Sequence, residues 1–361
     1  MGIILLLADS PYYSRLHMRF NQVLQQFVLH YAERWPDAIA QASQSNGRSV
    51  LTVSSPSQLR DKAGNYPKIL HHSQVTDHAV VLVHGLTDSP YYMQAIAEDF
   101  ARAGFNVVLP LLSGHGLKRP GPAFRSLRHT DWIATVDHAV ETAHRLGRRV
   151  SIGGLSTGGA LSVRKAIKDL GSITGGLFLY SAALDIGTAE QLLLQTEAGR
   201  MIGRLKDQRL WLTKTFKDKV EMILNDQSVG DRHDNYGIGE NDYKYSVFFY
   251  EGVSQLAEVI QEINQHYDDS HSKFSDLAQP VFAAHSKTDD QALFKGVQRL
   301  IDNHSNKAAA LFAMENVPHA SVVLKTAIID NPDSEEYAPA NPEYKKMSRA
   351  MLSFAQSYLF K

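Results

Sequence analysis

Ser156 stands at the centre of Gly154-Leu155-Ser156-Thr157-Gly158, between a strand-like run at 149–152 and a helix-like run at 159–166. A serine hydroxyl is a weak nucleophile until a base takes its proton and the backbone presents it. A sharp strand-to-helix turn does the presenting, and glycine two residues to either side lets the neighbouring chains pass. The same turn aims the N–H groups at the start of the helix toward the reacting oxygen. The base in turn needs an acid that holds its tautomer and stabilises the imidazolium.

In sheets where such a turn occurs, the acid and then the histidine follow the serine in chain order, each in a loop after a strand. Three acids meet that rule: Asp289, Asp290 and Asp185. Asp289 follows the apolar run ending at His285 after a short turn, Ser286-Lys287-Thr288, and is favoured. Asp290 also suits the first turn of the next helix, where a carboxylate is favourable in any case. Two histidines come later. His304 sits at the polar end of an amphipathic helix and reads as a solvated surface residue. His319, in Glu315-Asn316-Val317-Pro318-His319-Ala320, lies between the last strand and the last helix and is the favoured base. The oxyanion needs two N–H donors, for which Thr157 and Leu86 are the candidates; losing one such donor typically costs about 3 kcal/mol in the barrier.

The elements that must position these groups can be read from periodicity. Apolar residues at helical spacing (Leu16, Phe20, Val23, Leu24, Phe27, Val28, Tyr31) predict a helix over 14–35. Strands are predicted at 48–54, 68–75, 78–84, 105–109, 149–153, 175–181, 280–285 and 308–314, several as unbroken apolar runs of the kind buried on both faces of a parallel sheet. Helices are predicted near 90–103, 132–146, 247–266, 291–304 and 343–359. This alternation argues for βαβ units. Between 185 and 245 it stops, and helical segments at 190–204 and 209–224 suggest an insertion folded over the carboxyl edge of the sheet. The expected organisation is an N-terminal helical extension at 1–47, a core at 48–185 and 247–361, and a cap at 186–246.

Composition narrows the partners. The 361 residues are 43% hydrophobic and 21% charged, with a formal net charge of −1. Nothing in that balance favours nucleic acid or an anionic membrane. Cysteine is absent, which excludes disulfides, thiolate metal sites and cysteine nucleophiles. The run Gly2-Ile3-Ile4-Leu5-Leu6-Leu7-Ala8 lacks the basic flank and length of a secretory signal and is too short to span a bilayer. It is expected to anchor on the core or a partner in a cytoplasmic protein, with a clipped export signal as the minority reading. The sequence leaves the oligomeric state open.

The chain resembles the α/β-hydrolase superfamily, in the branch of bacterial carboxylesterases and monoacylglycerol lipases grouped with serine aminopeptidase-like hydrolases. The resemblance rests on His84-Gly85-Leu86-Thr87, on Leu109-Pro110 leading to Gly114-His115-Gly116, on Asp131-Trp132, on 154–158, on 280–289 and on His319. It implies an α/β-hydrolase fold, a mostly parallel central sheet flanked by helices with a helical cap. It also implies Ser156 as nucleophile, Asp289 as acid, His319 as base, Leu86 and Thr157 as oxyanion donors, and a structural His115. The implied activity is hydrolysis of short-to-medium carboxylic esters, a small-molecule substrate, with no metal or organic cofactor. A peptidase or amidase, a thioesterase, or a non-catalytic binding protein on the same fold are the alternatives. Leu192, Leu193, Leu194, Met201, Trp211, Phe216, Met222 and Ile223 would roof an acyl pocket or form the insertion's own core. Three departures stand out: the long N-terminal segment, His285-Ser286 where His-Gly is commoner, and an insertion at 325–344.

Overall fold

The structure, a computed structural model, describes residues 15–45, 47–186, 237–246, 249–264, 274, 277–305 and 308–360. The apolar run at 2–8 and most of the expected cap, including its eight named apolar residues, lie outside the described residues.

The described residues place strands β1 (Ile39–Ser45), β2 (Arg48–Ser54), β3 (Lys68–His71), β4 (Thr76–Val83), β5 (Asn106–Leu109), β6 (Gly147–Leu155), β7 (Leu177–Tyr180), β8 (Val281–Ser286) and β9 (Ala309–Met314) in one sheet. Its order is β1-β2-β3-β5-β4-β6-β7-β8-β9. The pairs from β5 to β9 are parallel, while β1, β2 and β3 join antiparallel at one end. The result is the mostly parallel sheet that the apolar runs predict.

Alternation along each strand divides the core into two layers. From β4, Ala79, Val81 and Val83 enter one layer and Val80 and Leu82 the other. In β7, Leu177 and Leu179 oppose Phe178 and Tyr180 in the same way. Each aliphatic side chain fully buried like this contributes about 1.5–3 kcal/mol. The first layer is covered by α1 (Arg15–Ala32), α4 (His129–Leu146), α5 (Thr157–Lys168), α6 (Tyr250–Asn264) and α7 (Phe294–Asp302). The second is covered by α2 (Gln94–Arg102), α8 (Tyr344–Leu359) and the short 3-10 turns Pro90–Met93 and His319–Val323. A further short helix, α3 (Pro120–Arg125), starts on Pro120 within the loop after β5, where a missing N–H costs nothing.

The N-terminal extension departs from the expected helical segment ending at 47. Among its described residues only α1 is helical, and Ile39–Ser45 forms β1, paired over its full length with β2 from Ile39↔Ser54 to Ser45↔Arg48. Its residues are exposed or half-buried, so no apolar alternation announces it. Among the described residues, no helix is long and apolar enough to cross a membrane.

Candidate active site

The nucleophile candidate is placed by backbone strain. Ser156, between β6 and α5, has φ 54° and ψ −115°, a conformation that L-residues rarely adopt and that surrounding contacts must hold. Those contacts are backbone hydrogen bonds: the Ser156 N–H donates to the Tyr180 carbonyl at 3.0 Å, and its carbonyl accepts from the Ala160 and Ala183 N–H groups. A Cβ on Gly154 would sit 2.4 Å from the Val83 carbonyl oxygen, and one on Gly158 would sit 2.0 Å from the same atom. Both glycines are therefore required by the close approach of β4, as the pentapeptide's spacing suggests.

Asp289 and His319 meet. His319 Nδ1 lies 2.8 Å from Asp289 Oδ2 and 3.0 Å from Oδ1, and both side chains are buried. The carboxylate also accepts from the Gln291 and Ala292 N–H groups, each at 3.0 Å, and His285 Nε2 stands 3.4 Å away. Burial raises the Asp289 carboxyl, but the adjoining His319 and the hydrogen bonds outweigh it and leave its pKa at about 2. Asp289 is thus ionised at neutral pH. The rival acids go elsewhere: Asp185 pairs with Lys295 at 3.2 Å, and Asp290 is exposed. His304 donates to or accepts from no triad candidate; its Nε2 meets the Gln279 carbonyl at 2.8 Å.

Ser156, Asp289 and His319 follow β6, β8 and β9, and Leu86 follows β4, so all four rise from the carboxyl edge of the parallel strands. Leu155, next to the serine, shares a core layer with Val317 and Val322 on either side of the histidine. Among the described residues the Ser156 hydroxyl makes no hydrogen bond, to His319 or to any other group, and His319 Nε2 is also unpartnered. Serine–base contacts are often loose before substrate arrives. Neither the Leu86 nor the Thr157 N–H donates to an acceptor among the described residues. The Leu86 carbonyl is held by His115 Nε2, and the Gly85 carbonyl, which shares its peptide with the Leu86 N–H, is held by His84. His84 beneath it is fully used: its Nδ1–H donates to the Gly85 carbonyl at 2.9 Å and its Nε2 accepts from Leu112 N–H at 3.1 Å. Burial, with the neighbouring His115, pushes the His84 ring down to about 3, so it stays neutral.

Residues 74–322 match the family of serine aminopeptidase, S33. The chain belongs to this family. It is also similar to the thermostable monoacylglycerol lipase of Bacillus sp. (strain H-257), 36% identical over 87 residues. That match covers 23% of this chain and 33% of the lipase, so the chain spans about a third of that relative's length. Among solved structures it resembles a metagenome-derived lipolytic enzyme, with TM-score 0.55 and 19% identity over 79% of this chain and 95% of the other. A soluble variant of the Saccharomyces cerevisiae monoglyceride lipase gives 0.54 at 12% identity, covering 88% and 94%. The Paleococcus ferrophilus monoacylglycerol lipase gives 0.50 at 17%, covering 77% and 94%. These likenesses show the α/β-hydrolase fold.

Within this S33 chain, two features escape a reading of the sequence. The first explains the departure at His285-Ser286. Ser286 Oγ accepts from the Val317 N–H at 3.3 Å and touches Thr288 Oγ1 at 3.2 Å, which accepts from the Asn316 N–H at 3.0 Å. Two hydroxyls of the loop bearing Asp289 thereby hold the loop bearing His319. The second is an ion pair between Asp88 and Lys244, Oδ1 to Nζ 2.8 Å. It fastens the segment 237–246 to the loop after β4, beside a Tyr245 N–H to Thr87 carbonyl bond of 2.8 Å and Arg60 bonds to the Lys244 and Asn241 carbonyls. Among the described residues no group of three or more acids or histidines is placed to hold a metal.

Proposed function

We propose that the protein is a serine hydrolase of carboxylic esters with short-to-medium acyl chains, working through Ser156, His319 and Asp289. The observation that carries this reading is the buried Asp289–His319 pair at the strand edge where Ser156 is held in its strained turn. The kinship with lipolytic relatives supports the ester as substrate.

The His319 ring donates its Nδ1–H to Asp289, which leaves Nε2 unprotonated and able to accept. Ser156 Oγ attacks the ester carbonyl carbon as its proton passes to Nε2. The carbonyl π electrons move onto oxygen, and the Leu86 and Thr157 N–H groups stabilise that charge. Collapse breaks the carbon–alkoxide bond, and the leaving alcohol takes the proton from Nε2. Water then repeats the sequence on the acyl-enzyme, giving the acid and free Ser156. Asp289 stays ionised throughout, and no metal or organic cofactor is needed for any step.

A panel of p-nitrophenyl esters from acetate to palmitate tests the proposal. The expected rates peak at butyrate to octanoate and vanish in Ser156→Ala, whose thermal melt matches the wild type. Rates that climb steadily to palmitate at a lipid interface, or faster turnover of an aminoacyl anilide than of any ester, contradict it.

A further inference from the structure

The helix α1 precedes residues 74–322, over which the chain matches its family, and ester hydrolysis by Ser156 and His319 does not itself call for it. Its last turn nevertheless reaches the loop that follows β5. Residues 110–113 lie in no helix or strand. Leu111 and Leu112 are each 1% exposed, so their N–H groups need partners that no ladder supplies. The Leu111 N–H donates to the Tyr31 hydroxyl at 3.0 Å, and the Leu112 N–H donates to His84 Nε2 at 3.1 Å. Arg34, just past the helix, donates to the Ser113 hydroxyl at 3.3 Å and to Thr135 Oγ1 of α4 at 3.1 Å. Its guanidinium lies 5.8 Å from the centre of the Tyr31 ring, which stacks on Trp35 with centroids 5.1 Å apart.

The far end of this connection is the oxyanion loop. Because His84 Nε2 accepts from Leu112, the proton of the neutral ring sits on Nδ1, where it donates to the Gly85 carbonyl at 2.9 Å. The Gly85 carbonyl and the Leu86 N–H belong to one planar peptide, so fixing the direction of the first fixes that of the second. Contacts thus run from Tyr31 through the successive amides of 111 and 112 to His84, and from His84 to the Gly85–Leu86 peptide. Tyr31, Leu111, Leu112, His84 and Leu86 are all buried. In a close-packed interior a shift at one end is passed along rather than absorbed. Anchoring α1 would need only its apolar face, Phe20, Val23, Leu24, Phe27 and Val28; a hydroxyl aimed at one loop amide goes beyond that. We infer that α1 is a working part of the site: Tyr31 is a positioning residue that, through Leu111, Leu112 and His84, holds the Leu86 N–H where the substrate oxygen develops its charge. The inference rests on the reading of Ser156 as nucleophile and of Leu86 as an oxyanion donor.

Tyr31→Phe keeps the ring and its packing but leaves the Leu111 N–H without its acceptor. On p-nitrophenyl butyrate kcat should fall about tenfold with KM little changed, a smaller loss than the roughly 10²–10³ that removing a donor outright costs. Affinity for butylboronic acid should weaken by the same factor, as expected of a mimic of the tetrahedral intermediate. In that adduct Ser156 Oγ adds to boron, its proton passes to His319, and one boron-bound hydroxyl lies where the oxyanion would. Arg34→Met, which frees Ser113 of the same loop, should move both readouts in the same direction, and it serves as the test if Tyr31→Phe does not fold. Phe20→Leu trims a buried ring on the same helix, far from the loop. It should lower the melting temperature and leave kcat and boronic-acid affinity unchanged. Wild-type values of both in Tyr31→Phe overturn the inference, as does an equal loss in Phe20→Leu, which would make the effect one of stability alone. A wild type that neither cleaves the ester nor binds the boronic acid overturns the hydrolase reading itself and this inference with it.

Discussion

His319 and His84 are both buried, yet their hydrogen bonds assign them opposite work. Each nitrogen of His84 has one partner, a carbonyl for Nδ1 and an amide for Nε2, and burial keeps the ring neutral. No proton on it is left to move. His319 has Asp289 on Nδ1 and, among the described residues, nothing on Nε2, the arrangement a general base needs. Asp289 sets the tautomer by accepting from Nδ1–H. Replacing it by asparagine offers the ring either an oxygen or an N–H₂ and lets the proton settle on Nε2. Asp289→Asn is therefore expected to lower kcat on p-nitrophenyl butyrate by about 10⁴ with KM little changed. A variant within tenfold of the wild type would show that His319 does not depend on this acid.

Between elements, histidines also carry structure. α1 lies on α4 through His30 and His138, whose rings stack at 3.8 Å and 6°. Burial, then the His138 ring and Arg34, lowers the pKa of His30 to about 3, and burial lowers His138 as well, with Glu33 and Glu141 opposing and Arg34 and Arg145 adding to the shift. The folded pKa of each lies below its unfolded value, so the unfolded chain binds more protons between the two. The contribution of His30 is complete above the ordinary imidazole value of 6.5 and is lost as pH falls toward about 3, and that of His138 is lost in the same direction. The melting temperature should fall over that window. His138→Phe, which keeps a ring against His30 but cannot take a proton, should flatten the fall; an unchanged slope would assign it to other groups. Elements of this kind differ in how openly the sequence shows them. The buried parallel strands announce themselves because both faces are apolar, as in 79–83. β1 does not, since pairing with β2 alone specifies it and its side chains face water. α3 hides behind Pro120 and Pro122, which read equally well as loop.

Across the whole molecule, the site is gathered by one geometric fact: parallel strands end along one edge, and every candidate residue follows such an end. That is why Ser156, Asp289 and His319 were legible from chain order although 163 positions are spanned from first to last. Contacts made across the fold left no such trace. Asp88 and Lys244 lie 156 residues apart, and neither has a local pattern that points to the other. The hydroxyls of Ser286 and Thr288 looked like ordinary turn residues until the loop bearing His319 lay against them. The central claim is that this edge turns one serine into a nucleophile. Labelling the full chain with a fluorophosphonate, followed by digestion and mass spectrometry, tests it most directly. A single adduct on Ser156, absent in Ser156→Ala and formed far more slowly in His319→Ala, is the predicted result. No adduct, or an adduct on another residue, would contradict it.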